Sequence, residues 1–246
     1  MRKVKIIFIV LLLLVLAVYI IVASTFLNHR SDEAVCEAVD LVVTDSVDYG
    51  FISNKDILNL LKSQKISPVG LKMNEINTSE MEEIISKQPF VERVDCYKTP
   101  GDKIGIKIKQ RVPLLRVMAN NGENYYIDQK GETMPVPIGT TAYVPIITGN
   151  VSKDFAKKEL YDFGLFLRDH SLWNAQIEQV NVTAQREIEL IPRVGEQVIF
   201  LGKPENYKEK LDRLKIFYEK GLNKVGWNKY SRISLEFDNQ IICTKR

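Results

Sequence analysis

The spacing of apolar positions changes along the chain, and each spacing predicts a different element. Residues 6–27 contain no charged residue and are almost continuously aliphatic in their first two thirds. The stretch from Pro89 to Pro113 alternates instead, with Ile104, Ile106 and Ile108 on one face and lysines among the outward positions. A period of two residues is typical of a half-buried strand. This stretch therefore predicts a two-stranded hairpin.

The apolar run at residues 6–27 predicts a single membrane-spanning helix. As a helix it extends roughly 33 Å, enough for a hydrocarbon core of about 30 Å. A cleaved signal peptide is the alternative, but the apolar region of a signal peptide is only about 7–15 residues long. Arg2, Lys3 and Lys5 precede the run. The positive-inside rule then places a short tail, residues 1–5, in the cytoplasm and the bulk of the chain outside.

The charge balance and the cysteines exclude several kinds of site. The chain has 34 Lys+Arg and 31 Asp+Glu, and three of the basic residues precede the apolar run, so the remainder is balanced. A nucleic-acid partner is not expected, because it requires a basic surface. Cys36, Cys96 and Cys243 form no CxxC pair, which disfavours a metal or thioredoxin-like site. Buried free thiols are predicted, while a disulfide between Cys36 and Cys96 remains open.

Beyond the apolar run, the pattern predicts an α+β fold in two domains. Residues 28–34 form a short linker. Residues 35–112 show the order strand, helix, helix, strand, strand (β-α-α-β-β). Two capping boxes, Ser53 with Asp56 and Ser79 with Glu82, predict where the two helices begin.

Residues 113–246 predict a mixed, β-rich domain with two helices. One helix is expected over residues 153–168 and the other over residues 204–220, with Pro204 at its first position. Strands are expected at residues 114–119, 125–128, 143–147, 177–183, 187–192, 197–201 and 232–244.

No motif of enzyme chemistry appears in the chain. HExxH, GxSxG, SxxK, the P-loop and GxGxxG are all missing from the sequence. His170 follows the helix predicted at residues 153–168, where a cation complements the helix dipole. We therefore expect no enzymatic activity, cofactor, metal or small-molecule substrate. A membrane-tethered wall enzyme with an unfamiliar site remains an alternative.

The C-terminal end predicts a hairpin whose last strand lies on a sheet edge. Ile233, Leu235 and Phe237 alternate, and residues 240–244 follow a turn at Asp238-Asn239. An uncovered edge exposes N–H and C=O groups that are either protected or bind a partner strand. The sequence alone leaves both possibilities open, because two basic residues follow and can guard an ordinary edge.

Four motifs follow one another beyond the apolar run. They are Pro89-Phe90-Val91 through Arg111-Val112-Pro113, Tyr126-Ile127-Asp128 with Gly131, Val144 to Gly149, and Ile233 to Phe237. In this order they resemble the bacterial cell-division family FtsQ, also called DivIB. The sequence departs from the family pattern at Lys109-Gln110-Arg111, where an acidic residue is usual, and at Thr99-Pro100, where a Trp is common.

This resemblance implies a non-enzymatic scaffold of the divisome, required for septum formation and located in the inner membrane with its bulk in the periplasm. It implies a POTRA domain at residues 35–112 and a β domain at residues 113–246. Its expected partners are other divisome proteins, notably small bitopic proteins of the FtsB and FtsL type. Another POTRA-bearing module, in protein translocation or envelope assembly, is the alternative. The implied partner-binding residues are Phe237, Gln240, Ile241, Ile242, Cys243 and Thr244.

Overall fold

The computed structural model describes residues 11–24, 34–44 and 49–246 of the chain. Residues 11–24 form helix α1, whose side chains are almost all exposed. Within the described ranges, no helix is both long enough and apolar enough to cross a membrane. The other parts of the predicted N-terminal region lie outside the described residues: the tail at 1–5, the ends of the apolar run at 6–10 and 25–27, and the linker at 28–33.

The chain divides into two compact units between Gln110 and Arg111. The N-terminal unit (Met1–Gln110) contains a three-stranded sheet in the order β1-β3-β2. Strand β3 is parallel to β1 and antiparallel to β2. The predicted order strand, helix, helix, strand, strand is confirmed. Its elements are β1 (Ala38–Val43), α2 (Asn54–Ser63), α3 (Thr78–Ser86), β2 (Val91–Lys98) and β3 (Lys103–Gln110).

The core of the N-terminal unit lies on one face of this sheet. Ile104, Ile106 and Ile108 of β3 are fully buried and share one apolar cluster with Leu61 of α2 and Ile85 of α3. The alternation read from the sequence is thus the alternation between core and solvent. Burying four or five such side chains stabilises the unit by about 2 kcal/mol each.

One of the two predicted capping boxes forms and the other does not. Ser53 caps α2, with its side chain and that of Asp56 bonded reciprocally to backbone N–H groups, as predicted. The cap of helix α3 is Asn77, two residues before the predicted cap Ser79, because the Asn77 side chain accepts the N–H of Glu80 at 3.2 Å. Glu82 is therefore not a capping residue. Its carboxylate accepts the backbone N–H of Cys96 on β2 at 2.6 Å.

All three cysteines are free thiols. Cys36 and Cys96 are buried in the core of the N-terminal unit, as the sequence predicts, and no disulfide joins them. Cys243 is only half-buried, because it lies on an edge strand.

The C-terminal unit (Arg111–Arg246) is built on a nine-stranded sheet in the order β12-β11-β10-β9-β8-β7-β4-β5-β6. Its strands and its helices share one apolar core. Eight of the nine strands fall in regions where the sequence predicts strands, and β6 does not. The strands are β4 (Pro113–Ala119), β5 (Asn124–Asp128), β6 (Thr133–Pro135), β7 (Ile146–Gly149), β8 (Ile177–Val182), β9 (Ile188–Pro192), β10 (Val198–Gly202), β11 (Tyr230–Ser234) and β12 (Ile242–Lys245).

The prediction of two helices in this unit is only partly right, because the first helical region is interrupted, the second begins later than predicted, and a further helix at Ser171–Gln176 is not predicted. Lys158, with φ −115° and ψ −88°, leaves helical geometry and splits the first region. In the second region Asn206 has φ 54°, so the helix begins after it and Pro204 is not its first residue. The elements are α4 (Lys153–Lys157), α5 (Glu159–Asp169), α6 (Ser171–Gln176), α7 (Tyr207–Phe217), a π turn (Tyr218–Leu222) and α8 (Asn223–Val225).

Gly149 shows why a glycine ends the motif that begins at Val144. Its φ is +95°, a conformation that side-chain-bearing residues rarely adopt. A Cβ atom at this position would lie 2.1 Å from the carbonyl oxygen of Val182 on the neighbouring strand β8. The glycine therefore permits β7 and β8 to approach closely at the end of their ladder.

Candidate protein-binding strand edge

Strand β12 forms one edge of the nine-stranded sheet. It is antiparallel to β11, with Ile242 opposite Ser234, Cys243 opposite Ile233 and Thr244 opposite Arg232. Among the residues that the structure describes, no strand pairs with the other side of β12. Half of its backbone hydrogen-bonding groups therefore point away from the sheet.

The hydrogen bonds between β11 and β12 identify which groups point outward. The N–H of Arg246 donates to the carbonyl of Lys229 at 3.3 Å, and the hydroxyl of Ser231 donates to the carbonyl of Thr244 at 3.4 Å. Thr244 and Arg246 thus face β11. Because backbone groups alternate along an antiparallel strand, Cys243 and Lys245 face the open side. Each presents one N–H and one C=O to an incoming strand.

The side chains of β12 also alternate between two faces. Cys243, together with Ile241 just before the strand, packs against the apolar core. Ile242 is 45% exposed, and Thr244, which lies on the same face of the strand, is also exposed. An incoming strand would therefore find a partly apolar surface on each side of the edge.

The predicted partner-binding residues do not all lie in this strand. Gln240 and Ile241 belong to a loop, residues 235–241, and the strand begins only at Ile242. Phe237 also lies in this loop, where it is 46% exposed. The alternation at Ile233, Leu235 and Phe237 predicts a longer β11, but the N–H of Leu235 donates to Phe200 of β10 at 2.8 Å. Strands β11 and β12 are therefore joined by loop 235–241, which contains the predicted turn at Asp238-Asn239 but is longer than a tight turn.

Lys245 is also part of this edge, although the sequence predicts a strand only through residue 244. Its pattern, one basic residue after an apolar run, indicates a guard at the end of a strand. The structure extends β12 through Lys245, opposite Tyr230, with the Lys245 backbone on the open side. The alternation of residues 241–244 does not reveal it, because Lys245 falls on the same face as Ile241 and Cys243 but is polar and exposed.

The other edge of the same sheet, at β6, has a different construction. Strand β6 has three residues and ends in Pro135, which has no N–H to donate. Arg111 closes this end: its guanidinium lies 2.7 Å from the carboxylate of Asp128 and also donates to the carbonyls of Glu132 and Thr133. Arg111 belongs to the stretch Lys109-Gln110-Arg111, in which the sequence lacks the expected acidic residue.

Asp128 belongs to the motif that precedes Gly131, and it organises the turn between β5 and β6. Its carboxylate accepts the N–H groups of Lys130 at 2.9 Å and of Glu132 at 2.8 Å, in addition to Arg111. Gly131 within this turn has φ +79°. The motif thus encodes a turn that requires a carboxylate acceptor and a residue that tolerates positive φ.

The described side chains contain no group of three or more His, Cys, Asp or Glu residues arranged to hold a metal ion. Two shallow clefts are present, one on each unit. The cleft on the N-terminal unit is lined by Thr44, Arg93, Asp95, Lys107 and Lys109. The cleft on the C-terminal unit lies beside loop 235–241 and includes Glu236 and Asp238.

Comparison with known protein families gives two matches, one for each unit. Residues 34–109 match the model of a POTRA-like domain. Residues 112–244, more than half of the chain, match the model described as FtsQ/DivIB, C-terminal related. A search of curated proteins finds no significant match.

Proposed function

We propose, because this chain belongs to the FtsQ/DivIB family, that it is a non-enzymatic scaffold of the bacterial divisome. In this proposal residues 6–27 anchor the chain in the inner membrane, with residues 1–5 in the cytoplasm and the bulk in the periplasm. Residues 35–112 form a POTRA domain and residues 113–246 a β domain. The scaffold links division proteins and is required for septum formation.

The observation that carries the proposal is the open edge at β12, within the unit that the FtsQ/DivIB model matches. We infer that a strand from a small bitopic protein of the FtsB type, which acts together with an FtsL-type protein, pairs with this edge. The backbone groups of Cys243 and Lys245 form the hydrogen bonds. The flanking contacts come from Phe237, Gln240, Ile241, Ile242 and Thr244.

Backbone pairing alone gives only part of the binding energy. Each intermolecular hydrogen bond contributes about 0.5–1.5 kcal/mol net, because both partners leave water. The exposed apolar surfaces of Phe237 and Ile242 supply a second contribution, at about 25 cal/mol per Å² buried. Specificity then depends on which apolar side chains the partner strand places against these two residues.

Depletion of the protein in its own cells tests the scaffold role. We expect depleted cells to elongate into filaments without septa, and re-expression of the full chain to restore division. Normal septa after complete depletion would contradict the proposal. Fusion of a reporter that is active only in the periplasm to the C-terminus tests the orientation of the anchor.

Substitution of Lys245 tests the edge. Lys245→Pro removes an outward-facing N–H while leaving the groups that face β11 in place, so the edge persists without one of its donors. We expect the co-expressed FtsB-type and FtsL-type proteins of the same cell to co-purify at least 10-fold less with this variant. Lys245→Ala is the matched control, because it removes the same side chain and keeps the N–H. Equal co-purification by both variants would show that the edge is not the binding site.

A further inference from the structure

We propose that Arg213 and Lys210 of helix α7 are positioning residues that hold loop 235–241 in place and thereby set where the β12 edge begins. This inference rests on the proposed function of the edge. Neither residue touches the incoming strand in this proposal. Both act through the loop that carries Phe237 and leads into Ile242.

Arg213 provides a direct connection between α7 and the loop. Its Nη2 donates to the carbonyl of Phe237 at 3.1 Å and to that of Leu235 at 3.4 Å. One guanidinium thus bridges two carbonyls that lie two residues apart. The span fixes the backbone on both sides of Glu236, directly after β11 ends.

Lys210 holds the structure beside the loop. Although it is charged, it is buried, and its Nζ donates to the carbonyls of Leu201 at 2.9 Å and Lys203 at 3.2 Å. These carbonyls lie at the end of β10 and just beyond it. Since Leu235 is hydrogen-bonded to Phe200 of the same strand, Lys210 fixes the support on which the loop begins.

The two cations are three positions apart on α7 and therefore lie on the same face of the helix. Burial of Lys210 and, to a smaller extent, repulsion from Arg213 lower the Lys210 pKa, and the carboxylates of Asp238, Glu205 and Glu236 oppose that change. Asp238 and Glu236 belong to the loop itself. They line a cleft of about 270 Å³ together with Lys210. The loop thus supplies carbonyl acceptors to Arg213 and negative charge near Lys210.

The contacts of Arg213 and Lys210 restrain loop 235–241, which contributes to partner binding. The side chains of Glu236, Phe237, Asp238 and Gln240 are exposed, so packing does not restrain them. The contacts to α7 reduce the number of conformations that the loop samples before a partner arrives. A loop that is already ordered lowers the entropic cost of binding, so removal of these contacts weakens binding without removing any contact to the partner.

The test uses the full chain with its co-expressed FtsB-type and FtsL-type proteins. Arg213→Met removes the donors at similar length, and Arg213→Lys retains the charge on a shorter side chain, whose ammonium must reach the two carbonyls that Nη2 contacts. We expect about 10-fold weaker co-purification for Arg213→Met and a smaller loss, about 3-fold, for Arg213→Lys. Lys215→Met, an exposed substitution on the same helix, is the matched control and should bind normally.

Hydrogen exchange separates positioning from a general loss of stability. In Arg213→Met we expect faster exchange at the amides of Ile242 and Thr244, and unchanged exchange in the central strands β8 and β9. The milder Arg213→Lys variant provides the same readout if Arg213→Met does not fold. Wild-type exchange and binding in the folded Arg213 variants would overturn the inference. If Lys245→Pro also binds normally, the proposed edge fails. If Lys245→Pro loses binding and the Arg213 variants do not, only the positioning role fails.

Discussion

The two edge strands of the nine-stranded sheet, β6 and β12, differ in the features that prevent pairing with another strand. Strand β6 is short, ends in a proline and is fastened by Arg111, which bonds Asp128 and two carbonyls. Strand β12 has no proline and keeps the backbone groups of Cys243 and Lys245 on its open side. Short strands, prolines and charged residues are the usual means of preventing unwanted strand pairing. Strand β12 is also short and contains one basic residue, Lys245, but it has no proline, and no described strand pairs with its open side, which marks β12 as the edge available to a partner.

A third edge, in the N-terminal unit, supports this comparison. Strand β2 lies at one side of the three-stranded sheet, and the N–H of Cys96 on its outer side is bonded to Glu82 of α3. A side chain here occupies a donor that an added strand would need. A carboxylate thus covers β2, and an arginine and a proline close the β6 edge. Among the described residues, none of these features covers the outward-facing backbone groups of β12.

The largest loss of stability is expected when the ion pair between Arg111 and Asp128 is broken at the β6 edge of the nine-stranded sheet. Asp128→Asn leaves the half-buried guanidinium of Arg111 without its carboxylate, and loss of one partner of a buried ion pair costs about 3 kcal/mol. Both tryptophans of the chain, Trp173 and Trp227, lie in the C-terminal unit. Their fluorescence during urea unfolding therefore measures the stability of that unit.

Asp169→Asn is the matched control for this prediction. Asp169 also pairs with an arginine, Arg168, but its side chain is exposed. Solvent screens such a pair, so we expect no measurable change in the unfolding midpoint. If Asp128→Asn also leaves the unfolding midpoint unchanged, the ion pair between Arg111 and Asp128 does not stabilise the β6 edge. The contrast between the β6 and β12 edges would then be unsupported.

A smaller effect is expected from uncovering β2. Glu82→Ala removes the acceptor of the Cys96 N–H, and loss of a hydrogen bond to a charged group costs about 2 kcal/mol. The expected result is faster hydrogen exchange at Cys96 and lower stability of the N-terminal unit. Glu83→Ala, in the neighbouring position, removes only an exposed ion pair with Lys87 and should leave exchange at Cys96 unchanged. Similar exchange in both variants would indicate that Glu82 does not protect the edge.

Periodic patterns allowed the elements of both units to be predicted from the sequence. The isoleucines of β3 and the capping pair Ser53 and Asp56 act locally, so their spacing is sufficient. Strand β6 was not predicted, because its three residues, which end in Pro135, are too few to show a period of two. Helix α3 began at a different cap, since Asn77 and Ser79 are both good capping residues and tertiary contacts selected Asn77.

The candidate site was predictable only in part. An apolar run near the C-terminus indicated an edge strand, but its first residue depends on contacts that the sequence does not reveal. Leu235 bonds to Phe200, and Arg213 bonds to Leu235 and Phe237, across separations of more than twenty residues. Side-chain to backbone bonds of this kind leave no periodic signal. The boundary of β12 therefore follows from the fold and not from local propensity.

The smallest loss of stability is expected when the pH is raised. It arises from the thiol of Cys96, which lies on β2, the strand that Glu82 covers. Burial, with smaller contributions from the charges of Glu82 and Asp95, raises the pKa of the Cys96 thiol to about 12. An unfolded cysteine ionises near pH 8.5. Above that pH the unfolded chain has lost a proton that the native chain retains, so stability falls as the pH rises toward 12. At pH 10 these two pKa values correspond to a loss of at most about 2 kcal/mol from this thiol, and partial access of solvent to the thiol reduces that loss further.

Urea unfolding at pH 7.5 and pH 10, followed by hydrogen exchange in β2 and β3, measures this loss. Other groups also titrate in this range, so the comparison is with Cys96→Ala. That variant should be less stable at pH 7.5, because it leaves a small cavity, yet it should lose less stability between the two pH values. Identical pH dependence in the two proteins would mean that the thiol ionises as readily in the native state as in the unfolded state. The strand beneath Glu82 would then be as open to water as β12, and the distinction between the covered and the open edge would fail at β2.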